Sequence, residues 1–255
     1  YLLKGLKLLR EVARAHRLIG NVDALEAIGE GKLSSVRAIA GGRPITIPAA
    51  TLLLHQGVVP QVNLAMASGV AHRWCDARLA FEPVLTPEGE TSVAGLFIAG
   101  DSAGIAGAEA ALARGTLAAV AILDRLDPAG RSAREAERSR AGASLARSLK
   151  GRAFLDALYR PAPQFRRPAD EVIVCRCEEV TAGEVRRLIG QGTQGPNQMK
   201  AFTRAGMGPC QGRSCALTVT ELFAEQTGRD PQEIGHLRLR APVKPITVAQ
   251  MARLT

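Results

Sequence analysis

Hydrophobic and polar positions alternate along residues 1–124 in patterns that predict both helices and strands. The stretch KGLKLLREVARAH carries apolar residues at helical spacing and predicts an amphipathic helix. VDALEAIGEG and LSSVRAIAGGRPITI alternate with a period of two, which predicts a hairpin or meander with a turn at GEG. Two continuous apolar stretches, AATLLLHQGVV and residues 95–99, predict buried strands, and an alanine-rich helix is predicted over residues 107–126. This first part of the chain is therefore predicted to be α/β.

The pattern changes after residue 124. The next residues are rich in Arg and contain RPAPQFRRP, which favours a solvated, partly helical basic linker. Four short helices are predicted beyond it, in TAGEVRRLIG, NQMKAFTRAG, SCALTVTELFAEQTG and DPQEIG. Thr181 and Glu184 have the spacing of a capping box, and Asp230 precedes Pro231 as an N-cap would. The predicted organisation is an α/β domain over 1–124, a linker over 125–170 and a small, mostly helical domain over 171–255.

Composition places the chain among globular proteins that are long enough for two cores. It has 255 residues, of which 46% are hydrophobic and 22% charged, and it has no apolar run long enough to cross a bilayer. The net charge of +9 lies largely in the linker, without a basic patch interleaved with base-stacking aromatics. We therefore expect an acidic protein partner rather than nucleic acid. The chain begins with Tyr1 and without a signal peptide, so we expect a cytoplasmic fragment whose natural start has been lost.

Four of the five cysteines lie in the last third of the chain and form a C-x-C pair followed, after 32 residues, by a C-x4-C pair. They are Cys175, Cys177, Cys210 and Cys215. Each pair lies in a loop that leads into a predicted helix, so the two loops can converge and supply the four thiolates that a [2Fe–2S] cluster needs. The fifth cysteine, Cys75, is expected to be a packed thiol. A structural zinc site stays open as an alternative, although the C-x2-C spacing usual for zinc is absent from the sequence.

The surroundings of these cysteines suit a negatively charged group. Helix N-termini offer unpaired N–H groups, and the glycines of GMGPCQG let backbone amides approach the sulfurs. Four cations lie near the cysteines in the sequence: Arg176, Lys200, Arg204 and Arg213. Together, CRCEEVT and MKAFTRAGMGPCQGRSC resemble the bacterioferritin-associated-ferredoxin-like [2Fe–2S] domain, in the version found at the C-terminus of flavin-dependent dehydrogenases. This resemblance covers residues 171–255 and implies that the four cysteines are the cluster ligands.

A second motif, TSVAGLFIAGDSAGIAGAEAALARG, runs from a predicted strand into a helix that contains glycines. Asp101 would lie just beyond the strand, where open α/β sheets bind ligands, and Gly100, Gly104 and Gly107 would let a flat or phosphorylated ligand lie against the backbone. From the residues alone, Asp101 could equally be the cap of the next helix. The phrase resembles the T-S-x-x-G-x-F-x-A-G-D motif of flavoproteins with two dinucleotide-binding domains. That resemblance implies that Asp101 contacts the ribityl chain of FAD.

Nearly the whole chain, including LLLHQGVVPQVNLA, resembles the α (A) subunits of bacterial opine oxidases, hydrogen cyanide synthases and related amino-acid dehydrogenases. The resemblance implies a partner subunit with its own flavin that oxidises an amine or amino acid. Electrons would then pass through the cluster to an acceptor such as a quinone chain, with the complex peripheral to the inner membrane. The sequence identifies no catalytic base. The G-x-G-x-x-G that opens such flavoproteins is missing, since GQGTQG at 190–195 follows a helix and is expected to be a loop.

Three other functions fit parts of the sequence. A flavin and iron–sulfur dehydrogenase of the glycerol-3-phosphate type shares the GMGPCQG signature. An iron-mobilisation module would fit the bacterioferritin-associated resemblance, although the attached FIAGD motif argues against it. A zinc-stabilised interaction protein would fit the cysteines alone.

Overall fold

The computed structural model describes residues 2–254, apart from the side chains of residues 2–5 and of Leu8. The chain divides into two compact units, Tyr1–Gln56 and Gly57–Thr255. The first unit contains helix α1 (Leu2–Ala15) and strands β1 (Val22–Ile28), β2 (Ser35–Ala40) and β3 (Arg43–Pro48). The strands form an antiparallel sheet in the order β1-β2-β3, with Val36 opposite Ala27 and Ile47. The predicted helix and meander are thus confirmed.

The second unit begins with elements that precede its cysteine-rich part. They are α2 (Asn63–Ala67), β4 (His72–Cys75), β5 (Ala80–Pro83), a 3-10 turn (Gly100–Ala103), α3 (Ala108–Leu126), a second 3-10 turn (Pro128–Gly130), α4 (Arg131–Leu149), α5 (Arg152–Leu158) and α6 (Pro163–Arg166). β4 and β5 pair as an antiparallel hairpin. The predicted alanine-rich helix is confirmed as α3.

Both predicted buried strands are wrong. Residues 49–59 form no regular element, and Leu53 is 90% exposed. Residues 95–99 are half-exposed, and their backbone contacts include a single bridge from Phe97 to Glu90 and a 2.8 Å hydrogen bond from the Ile98 amide to the Gly89 carbonyl. A continuous apolar strand needs parallel neighbours and cover on both faces. The three sheets within residues 2–254 are all antiparallel, and neither segment is part of one.

The segment predicted to be a linker contains a long helix that packs on its neighbour. α4 lies along α3, and the Asp124 carboxylate on α3 accepts hydrogen bonds from Arg134 at 2.9 Å and from Arg138, both on α4. Arginine side chains of α4 make these contacts to Asp124, so a helix with a polar sequence can still pack on α3. The helical part of the predicted linker thus packs on α3 through one face while most of its residues stay exposed, and the boundaries at 124 and 170 stay a prediction.

The last part of the second unit is a small helical domain built on a short hairpin. Its elements are β6 (Ile173–Cys175), β7 (Val180–Thr181), α7 (Ala182–Gly190), α8 (Pro196–Thr203), α9 (Ala216–Thr227), α10 (Pro231–Ile234) and α11 (Val248–Met251). The capping box of Thr181 and Glu184 and the Asp230 cap are confirmed. The core centres on α9, where Val219, Leu222 and Phe223 are fully buried.

No helix within residues 2–254 is both long and apolar enough to span a membrane.

Candidate functional site

The four clustered cysteines come together in the structure as two pairs of thiols. The Cys175 thiol lies close enough to Cys215, and the Cys177 thiol close enough to Cys210, to shift the pKa of the neighbouring thiol. The pairs are also close enough to interact electrostatically, through Cys175 with Cys177 and through Cys210 with Cys215. Within the described part of the chain, no group of three or more His, Cys, Asp or Glu side chains is arranged around a single metal ion. The thiols are thus grouped two and two.

Local structure explains how the loops present these thiols. Cys175 ends β6, and a turn in which Glu179 has a φ of 54° brings the chain back into β7. Cys177 lies in that turn. On the facing side, Cys210 lies in the loop before α9, and Cys215 is the N-cap residue of α9. A tight hairpin and a helix N-terminus therefore face each other, where the sequence predicted two loops that each lead into a helix.

Three glycines of the GMGPCQG loop are required by close contacts. A Cβ on Gly206 would overlap Leu237, and a Cβ on Gly212 would lie 3.0 Å from the same side chain. A Cβ on Gly208 would overlap the Cβ of Cys177 and lie 3.3 Å from its Sγ. The loop is therefore held between the buried Leu237 and the thiol-bearing hairpin, a fit that only glycine allows.

The two thiol pairs differ in burial. Cys175 and Cys215 are 1% and 0% exposed, whereas Cys177 is exposed and Cys210 is half-buried. Burial is the main cause that raises the pKa of the Cys215 thiol. For Cys210, burial opposes ionisation, but hydrogen bonds from the Ser214 backbone and from the Cys177 thiol outweigh it and lower the pKa. Within the outer pair, negative charge is therefore easier to hold at Cys210 than at Cys177, whose pKa is raised.

The cations predicted to surround the cysteines take different positions. Arg213 donates from Nη1 to the Cys210 carbonyl at 2.9 Å, and Arg204 pairs with Glu178 at 3.1 Å beside the outer thiols. Lys200 donates to the Arg238 carbonyl at 3.0 Å, and Arg176 is exposed between the two hairpin cysteines. No local pattern in the sequence indicates that a carboxylate would pair with Arg204.

The loop before α9 is also braced from a distant part of the same unit. The side-chain amide of Asn63 in α2 donates to the Gln211 carbonyl at 2.7 Å, and Asn63 is itself buried. Next to this contact, Gln61, Phe81, Arg213 and other residues line a cavity of about 140 Å³. Asn63 was missed by the sequence analysis because a contact across 148 residues leaves no local pattern.

The second predicted site lies in a loop shaped by glycines. Gly100, Gly104 and Gly107 have φ values of 68°, 111° and 95°, which disfavour any residue with a Cβ. Asp101 is exposed in the first turn of the 3-10 helix. α3 begins only after Gly107, which is its N-cap, so Asp101 does not cap that helix.

An arginine that the sequence analysis missed holds this glycine loop in place. Arg114 on α3 donates from Nη1 to the Gly104 carbonyl and, at 3.5 Å, to the Gly100 carbonyl. Burial is the main cause that lowers the pKa of Arg114, with a smaller contribution from the nearby Arg78. Arg114 also lies close enough to Asp101 to interact electrostatically with it. One face of the loop is thus fixed by α3, while the Asp101 carboxylate stays accessible.

The chain is similar to subunits of proteins that are named as oxidases and as hydrogen cyanide synthases. Residues 170–253 match the family model of the sarcosine oxidase A3 domain. Among the A subunits of opine oxidases, the one from Agrobacterium tumefaciens is 46% identical over 100% of this chain and 51% of its own length. Hydrogen cyanide synthase subunit HcnB of Pseudomonas aeruginosa is 31% identical over 90% of this chain and 51% of its own.

A solved structure agrees with this likeness at the level of the fold. L-proline dehydrogenase from P. horikoshii superposes with a TM-score of 0.66 at 23% identity, over 96% of this chain and 48% of that one. The mixed α/β fold class is thereby confirmed. The chain spans about half the length of the curated relatives that it matches, and it is a homologue of the opine oxidase A subunits and of the hydrogen cyanide synthase subunits HcnB.

Proposed function

We propose that this chain holds a [2Fe–2S] cluster on Cys175, Cys177, Cys210 and Cys215 and is the electron-transferring part of an oxidoreductase subunit. The observation that carries the proposal is the grouping of these thiols into two pairs. A [2Fe–2S] cluster takes four thiolates, two on each iron. A structural zinc ion would instead need its ligands around one point.

The residues around the thiols fit such a group. Cys215 is the N-cap of α9 and provides no side-chain cap, so the positive end of the helix dipole lies at the thiols. Arg213 and Arg204 add positive charge beside the outer pair. When bound, the cluster would accept and release single electrons, and the chain would supply the ligands, the donors and the exclusion of water around the inner pair.

We also propose that the glycine loop and Asp101 form part of an FAD site. The positive φ values of Gly100, Gly104 and Gly107 leave the backbone open to a ligand, and Asp101 presents an exposed carboxylate that could accept hydrogen bonds from ribityl hydroxyls. Arg114 would keep the loop rigid from behind. The chain would contribute these residues, with further contacts to FAD supplied by other parts of the full protein.

The names of the relatives suggest the substrate class. Opine oxidase and hydrogen cyanide synthase subunits are both named as parts of larger enzymes. We therefore infer an amine or amino-acid substrate, oxidised on a flavin-containing partner subunit, and an acceptor such as a quinone chain. A cytoplasmic complex, peripheral to the inner membrane, is the location that suits this role.

The test is a metal analysis of the anaerobically purified protein with a matched pair of variants. We expect brown protein with about two iron and two sulfide per chain. Cys210→Ser should lose the visible absorption of the cluster, and Cys75→Ser, which removes a cysteine from β4, should keep it. Colourless protein with about one zinc per chain would contradict the proposal.

A further inference from the structure

The two thiol pairs define an inner and an outer side of the proposed cluster. Cys175 and Cys215 are buried in the domain core, while Cys177 reaches solvent and Cys210 reaches it in part. Met207, in the same loop as Cys210, exposes 45% of its surface. We call Cys177, Cys210 and Met207 the outer edge. Because electron transfer slows steeply with distance, exchange with a separate molecule is fastest at this edge.

The surface around the outer edge is predominantly basic. Arg176 and Arg213 are exposed next to its two cysteines, and Arg204 lies beside Cys177 through its ion pair with Glu178. Glu178 and Arg204 neutralise each other, and Glu179 is the other carboxylate of the hairpin. Arg176 and Arg213 against Glu179 leave a local balance of +1, apart from the charge of the cluster itself.

A second group of cations extends this surface. Lys200 lies on α8, one turn before Arg204, and its Nζ contacts the Arg238 carbonyl at 3.0 Å. Arg238 and Arg240 both lie close enough to Lys200 to interact with it electrostatically. The segment that carries these two arginines is held against the cysteine loop, because Leu237 packs on Gly206 and Gly212. These like charges raise the positive potential of this face, which favours contact with an anionic surface.

We propose that the outer edge is the docking site of an acidic, one-electron carrier protein, which meets Met207 at its centre and the surrounding cations at its rim. The inference rests on the proposed cluster. The basic rim comprises Arg176, Lys200, Arg204, Arg213, Arg238 and Arg240. Such a site matches the small, charge-steered interfaces that redox proteins use for short encounters.

The transfer itself is balanced without bond formation. The bound cluster would supply one electron and return to its oxidised form, and the one-electron acceptor of the carrier would gain that electron. The rim raises the rate of encounter with an acidic surface and lowers it with a basic one.

The experiment compares an acidic and a basic cytochrome c of similar size as probes of the full protein. The reduced protein is mixed anaerobically with each probe, and reduction of the haem is followed by stopped flow at low and at physiological salt. Affinity of the oxidised protein for each immobilised probe gives a second readout that does not depend on turnover. We expect faster transfer to the acidic probe, tighter binding to it, and a loss of both advantages as salt rises.

Charge reversals locate the site. The two variants are Arg240→Glu and Arg176→Glu. Arg240 belongs to the rim away from the thiols, and Arg176 lies between the hairpin cysteines. Each should slow transfer to the acidic probe about tenfold at low salt. The matched control is Arg229→Glu, which follows the far end of α9, about 18 Å along that helix from Cys215. Cluster absorbance and midpoint potential are measured for every variant, so that a change in driving force is separated from a change in docking.

The possible outcomes separate a failure of the docking site from a failure of the proposed cluster. A protein that fails to assemble a cluster contradicts the proposed function. A loaded protein that reduces both probes equally, or whose Arg240→Glu and Arg229→Glu variants behave alike, contradicts the docking site. A small quinone that is reduced rapidly while neither cytochrome binds would also overturn it in favour of a small acceptor.

Discussion

Gly208→Ala tests whether the close approach of the two loops is needed to place the thiols. The backbone of Gly208 lies outside the left-handed region, so an added methyl group brings no backbone strain. Its only consequence is steric, because the new Cβ would overlap that of Cys177 and approach Glu178 Oε1 to 3.1 Å. The obstacle is the side chain of a proposed ligand, so the substitution acts directly on the geometry of the site.

The size of the effect follows from the contact. Carbon atoms in contact lie about 3.5–4.0 Å apart, so Cys177 would have to retreat by about 1 Å. Metal–ligand distances tolerate only about 0.2 Å. Added volume in a packed site costs about 1–3 kcal/mol. We therefore expect Gly208→Ala to fold, with an unfolding free energy lower by about that amount, and to retain only a minor fraction of the cluster.

The assay measures iron, sulfide and visible absorbance of the anaerobically prepared variant, together with its circular dichroism. Gly190→Ala is the matched control, since the last residue of α7 has an ordinary backbone and a new Cβ would meet only Gln226 Nε2 at 3.6 Å. It should keep the full cluster. If Gly208→Ala also kept the full cluster and an unchanged unfolding free energy, the reasoning from loop contact to thiol placement would be refuted.

Two further predictions concern the rest of the second unit. Asp101→Ala in the full protein should lower the FAD content without changing the stability of α3, because Asp101 is exposed and is not the cap of that helix; flavin analysis and thermal unfolding check both points. Burial is the main cause that lowers the pKa of His236, so the folded protein resists a proton that the unfolded chain accepts below about pH 6.5. Stability should therefore be lost as the pH falls from about 7 to 5, and His236→Phe, which keeps a ring against Phe81, should weaken that dependence. Denaturant unfolding of the apoprotein at both pH values measures it, and parallel profiles for the two proteins would contradict the assignment.

Local signals account for most of what the sequence predicted well. The capping box at Thr181 and the Asp230 cap are set by neighbours within a few residues, and both are found in the structure in the predicted place. The glycines of the cysteine loop were predicted to allow close approach, and two of the three contacts are with Leu237 rather than with sulfur.

Long-range contacts account for what the sequence analysis missed. The apolar sequence of residues 95–99 is typical of a buried strand. It carries no information on whether partner strands lie beside it, and a sheet requires them. Asn63 acts on a backbone carbonyl 148 residues away, and Arg114 acts on carbonyls 14 and 10 residues before it. Neither position stands out in composition or periodicity. The packing of α4 on α3 through Asp124 was missed for the same reason, since a charged helix face is usually solvated.

The N-terminus of α9 carries a cysteine of the proposed cluster site at a position where another residue would make the helix more stable. Cys215 occupies the N-cap position without a side-chain cap, although a Ser, Thr, Asp or Asn there would stabilise the helix by about 0.5–2 kcal/mol. The complete burial of Val219, Leu222 and Phe223 offsets that loss. Cys215 is also buried, and its burial is the main cause that raises the pKa of its thiol, so the apoprotein keeps this sulfur neutral. Metal ligation requires the thiolate. Assembly of the proposed cluster must therefore release the Cys215 proton, and the positive end of the α9 dipole would then stabilise the charge that replaces it.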